Sequence, residues 1–147
     1  MKNKILVFIY NPKTDRFLLL NTANHYDRSP IGGKFTVTGE TEKEESLEKA
    51  VERELKEETG LIPQEILSLN WGSVYNWKDE EFKEMNFIVF VDSKKVILNE
   101  KHSRYKWLEL SEFIKSIDWN DDKKLLKKVL ENAIKKEIYF DKKERGQ

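Results

Sequence analysis

The sequence contains no cysteine. This excludes disulfides, zinc–thiolate sites and a thiol nucleophile. It also has no net charge, because 27 lysines and arginines balance 27 aspartates and glutamates, so no overall field favours nucleic acid or a membrane as partner. No apolar run approaches the ~18 residues of a membrane helix. The first residues run directly into a predicted strand, so we expect no signal peptide and a cytoplasmic protein.

The length of 147 residues suits one domain built around a single core. We find no internal repeat and no linker composition. We therefore predict one domain over residues 1–147, in which residues 139–147 form a frayed tail.

Residues 39–61 hold nine acidic and four basic side chains and predict a long helix. No proline or glycine lies between Glu40 and Thr59, which favours helix over this stretch. Thr41 and Glu44 have the spacing of a capping box. Gly60 and Pro63 are typical of a helix end.

The charges of this helix do not match its faces. One apolar stripe is predicted from four residues: Leu47, Ala50, Val51 and Leu55. Glu54 and Glu58 project into the same sector, and Glu57 lies at its edge. Anions on a half-buried face are costly unless a positive charge compensates them. Oxygen donors without cysteine or histidine favour Mg²⁺, or Mn²⁺, as that charge, whereas a solvated helix with clustered glutamates is the alternative.

The same residues resemble a complete Nudix box: Gly39, then Glu45, then the run Arg53 to Leu61. Membership of the Nudix family implies an αβα sandwich with a mixed sheet between helices, and hydrolysis of a nucleoside diphosphate linked to another group. It also implies that Glu54, Glu57 and Glu58 bind the metal and that the carbonyl of Gly39 approaches it.

Further roles follow from this resemblance and from spacing. Glu54 or Glu100 is the candidate for taking the proton of the attacking water. Arg53 lies four residues before Glu57 and is predicted to hold that carboxylate by a bidentate contact. Glu45 is expected to orient the loop and the helix, with metal contact as the second choice. Glu44 stands where family members often have glycine, which should alter the helix start and not the metal site.

Apolar runs, turn residues and caps predict the remaining elements. The list is: a strand from Lys4 to Tyr10, paired as a hairpin with a strand from Arg16 to Asn21; strands over Lys34 to Thr38, Ile66 to Trp77 with a kink at Gly72, and Phe82 to Asp92; and helices over Ser111 to Ile117 and Asn120 to Ile138.

Two stretches indicate the substrate by resemblance. Val37-Thr38-Gly39 and a Glu-His-x-x-Tyr-x-Trp-Leu pattern in residues 99–108 are similar to the branch that includes dihydroneopterin triphosphate pyrophosphatase. An acid in the second stretch faces the metal in such relatives, so Glu100 is a candidate ligand or base, or else a turn acid. His102 is expected to be structural or exposed to solvent.

We therefore expect a small nucleotide as partner, namely a nucleoside or pterin triphosphate cleaved to the monophosphate and pyrophosphate. Diadenosine tetraphosphate is the first alternative, in which Tyr75 would stack on an adenine, and ADP-ribose is the next. A Nudix domain that senses a nucleotide without cleaving it is the non-enzymatic alternative. In the polar loop 22–33, Arg28 could bind a phosphate and Tyr26 could stack on a base, or the loop has no ligand contact. Monomer and homodimer both stay open.

Overall fold

A computed structural model describes residues 1–23 and 33–140 of the chain. Tyr26 and Arg28 lie outside the described residues, so their predicted roles stay predictions. The elements, in chain order, are β1 Lys2–Asn11, β2 Arg16–Thr22, β3 Lys34–Phe35, β4 Val37–Glu40, α1 Leu47–Thr59, β5 Glu65–Trp77, β6 Glu80–Phe90, β7 His102–Leu108, α2 Leu110–Ser116 and α3 Lys123–Ile134. None of the described helices has the length and apolar character needed to cross a membrane.

The described strands form one mixed sheet around β1. Its order is β3-β2-β1-β6-β5, with β4 also paired to β1 and β7 also paired to β2. β1 runs parallel to β6 and antiparallel to β2 and β4. The predicted hairpin of the first two strands is confirmed. Along β1, β4 pairs with residues 4–7, which brings Gly39 opposite Ile5.

β1 contributes to two cores because successive side chains of a strand point to opposite faces. Its odd-numbered residues from Ile5 to Ile9 pack with Val51 and Leu55 of α1. Its even-numbered residues from Leu6 to Tyr10 pack with α2 and α3. A sheet covered by helices on both faces is the predicted αβα sandwich.

The helix starts predicted from the sequence need correction. α1 begins at Leu47, where the hydroxyl of Ser46 accepts a hydrogen bond from the amide of Lys49, so the Thr41–Glu44 capping box is wrong. Glu44 adopts a left-handed backbone with φ 65°, which turns the chain before the helix can start. α2 follows Glu109 and not a Ser111 cap. α3 is capped by Asp122 and ends at Ile134, so it is shorter than predicted at both ends.

The predicted kink in β5 is confirmed. The register between β5 and β6 shifts between Ser68 and Gly72, and a Cβ atom on Gly72 would overlap with the carbonyl of Glu84. Trp71, within this bulge, stacks on Phe140 with the ring centroids 5.6 Å apart. Phe140 was predicted to lie in a frayed tail; its ring instead packs on the sheet.

Candidate active site

Glu54 and Glu58 lie side by side on the inner face of α1. Glu54 is 8% exposed and Glu58 is 1% exposed, although residues one helical turn apart with like charge repel. Burial, together with a hydrogen bond that the protonated Glu54 carboxyl donates to Glu58, raises the pKa of Glu54 to about 7. The prediction that Glu54 and Glu58 project into the apolar sector of the helix is confirmed. Two acids this close together stay in place by sharing a proton or by binding a cation.

Gly39 allows this pair to fit against β4. A Cβ atom at this position would overlap with Oε2 of Glu54. Gly39 is buried in β4 and its φ is not among the positive values, so the requirement here is space and not backbone freedom. The structure brings together the predicted residues Gly39, Glu54 and Glu58.

The oxygens of Glu58 are held by His102, the first residue of β7, and by Lys101, which directly precedes this strand. Nε2 of His102 lies 2.7 Å from Oε1, and Nζ of Lys101 lies 3.3 Å from Oε2. Lys101 also donates to the carbonyl of Thr38 at 3.4 Å. His102 is 8% exposed, and its Nδ1 finds no hydrogen-bond partner among the described residues. The prediction that His102 is structural or exposed missed its contact with the acid pair.

Arg53 contacts a different carboxylate from the one predicted. Its Nε and Nη2 donate to the two oxygens of Glu45 at 2.8 and 2.9 Å, which is a bidentate pair. Its contact with Glu57 is single, at 3.5 Å, and it lies 3.4 Å from Oε2 of Glu54. Nη2 also donates to the carbonyl of Glu40 at 3.0 Å. The bidentate contact with Glu57 is therefore wrong, because the turn at Glu44 brings Glu45 within reach first.

The ion pair of Arg53 and Glu45 shifts the pKa of both side chains. The hydrogen bonds from Arg53, and then the one from the backbone amide of Glu42, lower the pKa of Glu45 to about 2. The hydrogen bonds with Glu45, and then the negative charges of Glu54, Glu45 and Glu42, raise the pKa of Arg53. Arg53 thus ties the segment before α1 to the helix and places a fixed positive charge beside Glu54.

Glu57 and Glu100 are both more exposed than the buried pair. The side chain of Glu57 is 55% exposed. Glu100 is exposed, and within residues 1–23 and 33–140 it makes no hydrogen bond or ion pair that would bring it to the site. The residue directly before His102 is Lys101, not Glu100, so the resemblance in this stretch is shifted by one residue. The extra residue between Glu100 and His102 was the feature of the sequence that could have drawn attention to Lys101.

The chemistry of these donors suits a hard divalent cation. The three carboxylates Glu54, Glu57 and Glu58 and the carbonyl of Gly39 are oxygen donors, which Mg²⁺ and Mn²⁺ prefer. In the described part of the chain, no group of three or more histidines, aspartates and glutamates is already gathered for a metal. Among the described residues, the positive charges beside the buried pair are the ammonium of Lys101, 3.3 Å from Glu58, and the guanidinium of Arg53, 3.4 Å from Glu54.

An αβα sandwich with a glycine-backed acid pair on its central helix is the arrangement of a Nudix domain. The family model for the NUDIX domain matches residues 2–129, and the chain belongs to that family. As a Nudix hydrolase it acts on pyrophosphate bonds.

Solved structures with the same fold share about a fifth of their residues with this chain. The Ap4A hydrolase of C. elegans has a TM-score of 0.72 at 21% identity and covers 92% of this chain and 99% of its own. The dihydroneopterin triphosphate pyrophosphohydrolase of E. coli has a TM-score of 0.68 at 21% identity and covers 89% of this chain and 96% of its own. The NUDIX domain of Shewanella oneidensis NrtR, solved with ADP ribose, has a TM-score of 0.69 at 18% identity. It covers 89% of this chain and 87% of its own. No curated protein sequence matches the chain.

Proposed function

We propose that the protein is an Mg²⁺-dependent pyrophosphohydrolase that cleaves a nucleoside or pterin triphosphate to the monophosphate and pyrophosphate. The observation that carries the proposal is the buried pair of Glu54 and Glu58 against Gly39. Two acids at this depth need positive charge close by. Mn²⁺ is the alternative cation, and the cytoplasmic location stays a prediction from the sequence.

Glu54, Glu57 and Glu58, with the carbonyl of Gly39, are the proposed metal ligands. When bound, the ion would neutralise phosphate oxygens and lower the pKa of the attacking water. Glu57 has the exposure that a ligand facing an incoming polyphosphate needs. Arg53, which lies 3.4 Å from Glu54 and 3.5 Å from Glu57, orients both acids.

The proposed reaction is the hydrolysis of the anhydride bond between the α- and β-phosphorus. The oxygen of a water molecule forms a bond to the α-phosphorus, the anhydride bond to the β-phosphorus breaks, and pyrophosphate leaves with the bonding electrons. We assign the proton of the water to Glu54 and not to Glu100. Glu54 lies within the cluster, whereas Glu100 is exposed and has no described contact with it.

Two features of the sequence support the triphosphate class, namely Val37-Thr38-Gly39 and the motif around His102. The structure of β5 bears on the alternative that uses Tyr75. Its ring stacks on Phe82 with the centroids 5.5 Å apart, so stacking on an adenine would require the ring to leave this contact or to use its other face.

The test is product identification by phosphorus NMR. The wild type is incubated with Mg²⁺ and the eight common nucleoside and deoxynucleoside triphosphates, dihydroneopterin triphosphate, diadenosine tetraphosphate or ADP-ribose. Pyrophosphate and a monophosphate from one preferred triphosphate is the expected result. Glu57→Gln is the inactive control. Its exposed side chain can change without disturbing the core, whereas the loss of a proposed metal ligand should remove most of the turnover.

Other products would overturn the substrate class. ATP released from diadenosine tetraphosphate, or ribose phosphate from ADP-ribose, would leave the metal chemistry and replace the substrate. Tight nucleotide binding without any product would instead move the protein to the sensor class.

A further inference from the structure

The ammonium of Lys101 contacts Glu58, which is one of the proposed metal ligands. It is 3.3 Å from Oε2 of Glu58 and 3.4 Å from the carbonyl of Thr38, next to Gly39. The side chain of Lys101 is 34% exposed, whereas that of Glu58 is 1% exposed. Lys101 therefore approaches the buried acid from the solvent side.

The other oxygen of Glu58 has a buried partner. Oε1 lies 2.7 Å from Nε2 of His102, and both side chains are buried. Each carboxylate oxygen has two lone pairs and can accept a hydrogen bond while it binds a metal, so any competition with a metal comes from the positive charge of a donor. Lys101 carries such a charge, and it can move away because it is partly exposed and its contact is longer than that of His102.

A metal and this ammonium would also repel each other. Mg²⁺ binds oxygen at about 2.0–2.1 Å, so an ion on Oε2 of Glu58 would lie within a few ångströms of Nζ. Like charges that close interact strongly in a partly buried site. A metal ion on Oε2 is therefore bound less tightly while the ammonium of Lys101 stays in place.

We propose that Lys101 is a competing counter-ion, which holds Glu58 when no metal is bound and which lowers the affinity of this acid for a divalent ion. This inference rests on the assignment of Glu58 as a metal ligand in the proposed function. It assigns Lys101 the role of setting metal affinity: the lysine stabilises the metal-free protein and weakens metal binding by the same interaction.

The experiment is an Mn²⁺ titration without substrate, followed by electron paramagnetic resonance of the free ion. Lys101→Gln should bind Mn²⁺ about tenfold more tightly than the wild type, or better, because the competing charge is gone. Lys106→Gln is the matched control. It removes the same charge from an exposed position on β7, the strand that follows Lys101, and should bind Mn²⁺ as the wild type does.

Thermal unfolding gives a second readout that does not depend on activity. In EDTA, Lys101→Gln should unfold at a lower temperature than the wild type, because Glu58 loses a partner. Saturating Mn²⁺ should raise the Tm of the variant by more than it raises that of the wild type, as tighter binding requires. If the metal-free Gln variant does not fold, Lys101→Met, which keeps the apolar stem, takes its place.

The outcomes separate this inference from the proposed function. Equal or weaker Mn²⁺ binding by the Lys101 variants, with the wild type binding normally, overturns the role of Lys101 alone. Failure of all forms, wild type included, to bind Mn²⁺ overturns both the role of Lys101 and the metal site on which it rests.

Discussion

Nε2 of His102 lies 2.7 Å from Oε1 of Glu58 and joins β7 to α1 across 44 residues of chain. Both side chains are buried, so this hydrogen bond to an acid is formed away from water, where such bonds are strong and where their loss is costly. The contact connects the stability of the fold with the geometry of the active site.

His102→Ala is expected to lower the free energy of unfolding by about 1–3 kcal/mol, because an oxygen of a buried acid loses its donor. His102→Gln keeps an N–H donor and should lose less. Urea denaturation in EDTA measures both. Ser103→Ala is the control on the same strand, at an exposed position, and should change little. Equal stability of the Ala variant and the wild type would contradict the role of this bond.

Gly39→Ala should damage the site more than the fold. The added Cβ would overlap with Oε2, Cδ and Cγ of Glu54, so this buried side chain would have to shift. We expect a loss of at most about 1–2 kcal/mol of stability, together with a fall in kcat of at least about tenfold, as is typical when a catalytic group is displaced by an ångström. Steady-state kinetics and thermal unfolding on the same preparation check both parts. Normal turnover would show that the position of Glu54 is not required.

Glu45→Gln should lower stability at neutral pH, and the difference from the wild type should shrink in acid. The pKa of Glu45 is held at about 2, below its ordinary value of 4.5, mainly by Arg53. A lowered pKa of a carboxyl means that its contribution is complete above about 4.5 and is lost as the pH falls toward 2. Urea denaturation at pH 6 and pH 3 should show that more than half of the difference is gone at the lower pH.

The control for this pH dependence is Glu42→Gln. Glu42 lies 3.9 Å from Arg53 and its side chain is 69% exposed, so its removal should matter little at either pH. A difference between Glu45→Gln and the wild type that stays constant from pH 6 to pH 3 would speak against an ionised pair with Arg53.

Glu44→Gly is expected to stabilise the protein by about 0.5–1 kcal/mol. Glu44 has φ 65°, a conformation that costs residues with a Cβ atom more than it costs glycine. Lys43→Gly, at the adjacent exposed position without a positive φ, should destabilise instead. Thermal unfolding of the two variants tests the opposite signs, and a loss for both would mean that the backbone at Glu44 is not strained.

The helix and the central strand could be predicted because their information is local. The periodicity of residues 47–58 places Glu54 and Glu58 among apolar neighbours, and both are buried. The continuous apolar run of β1 indicated burial on both faces, and the structure has two cores there. Residue type and spacing were sufficient for these elements.

The contacts between distant segments could not be predicted in the same way. The strand β7 was not predicted. Its four consecutive residues Ser103 to Lys106 are exposed, so the sequence has no alternating apolar pattern there. The partners of Glu58 lie 43 and 44 residues away, and no local pattern indicates that pairing. The partner of Arg53 depends on the backbone at Glu44, where a glutamate adopts a conformation typical of glycine.

The pairing of Glu58 with Lys101 and His102 also has a consequence for synthesis on the ribosome. A nascent chain that has emerged only as far as β6 already contains all of α1, but neither donor for this acid. Because domains generally fold as units, Glu58 stays without its partners until β7 has been translated and has paired with β2. A chain truncated before Lys101 could therefore form the central helix but not the completed pocket.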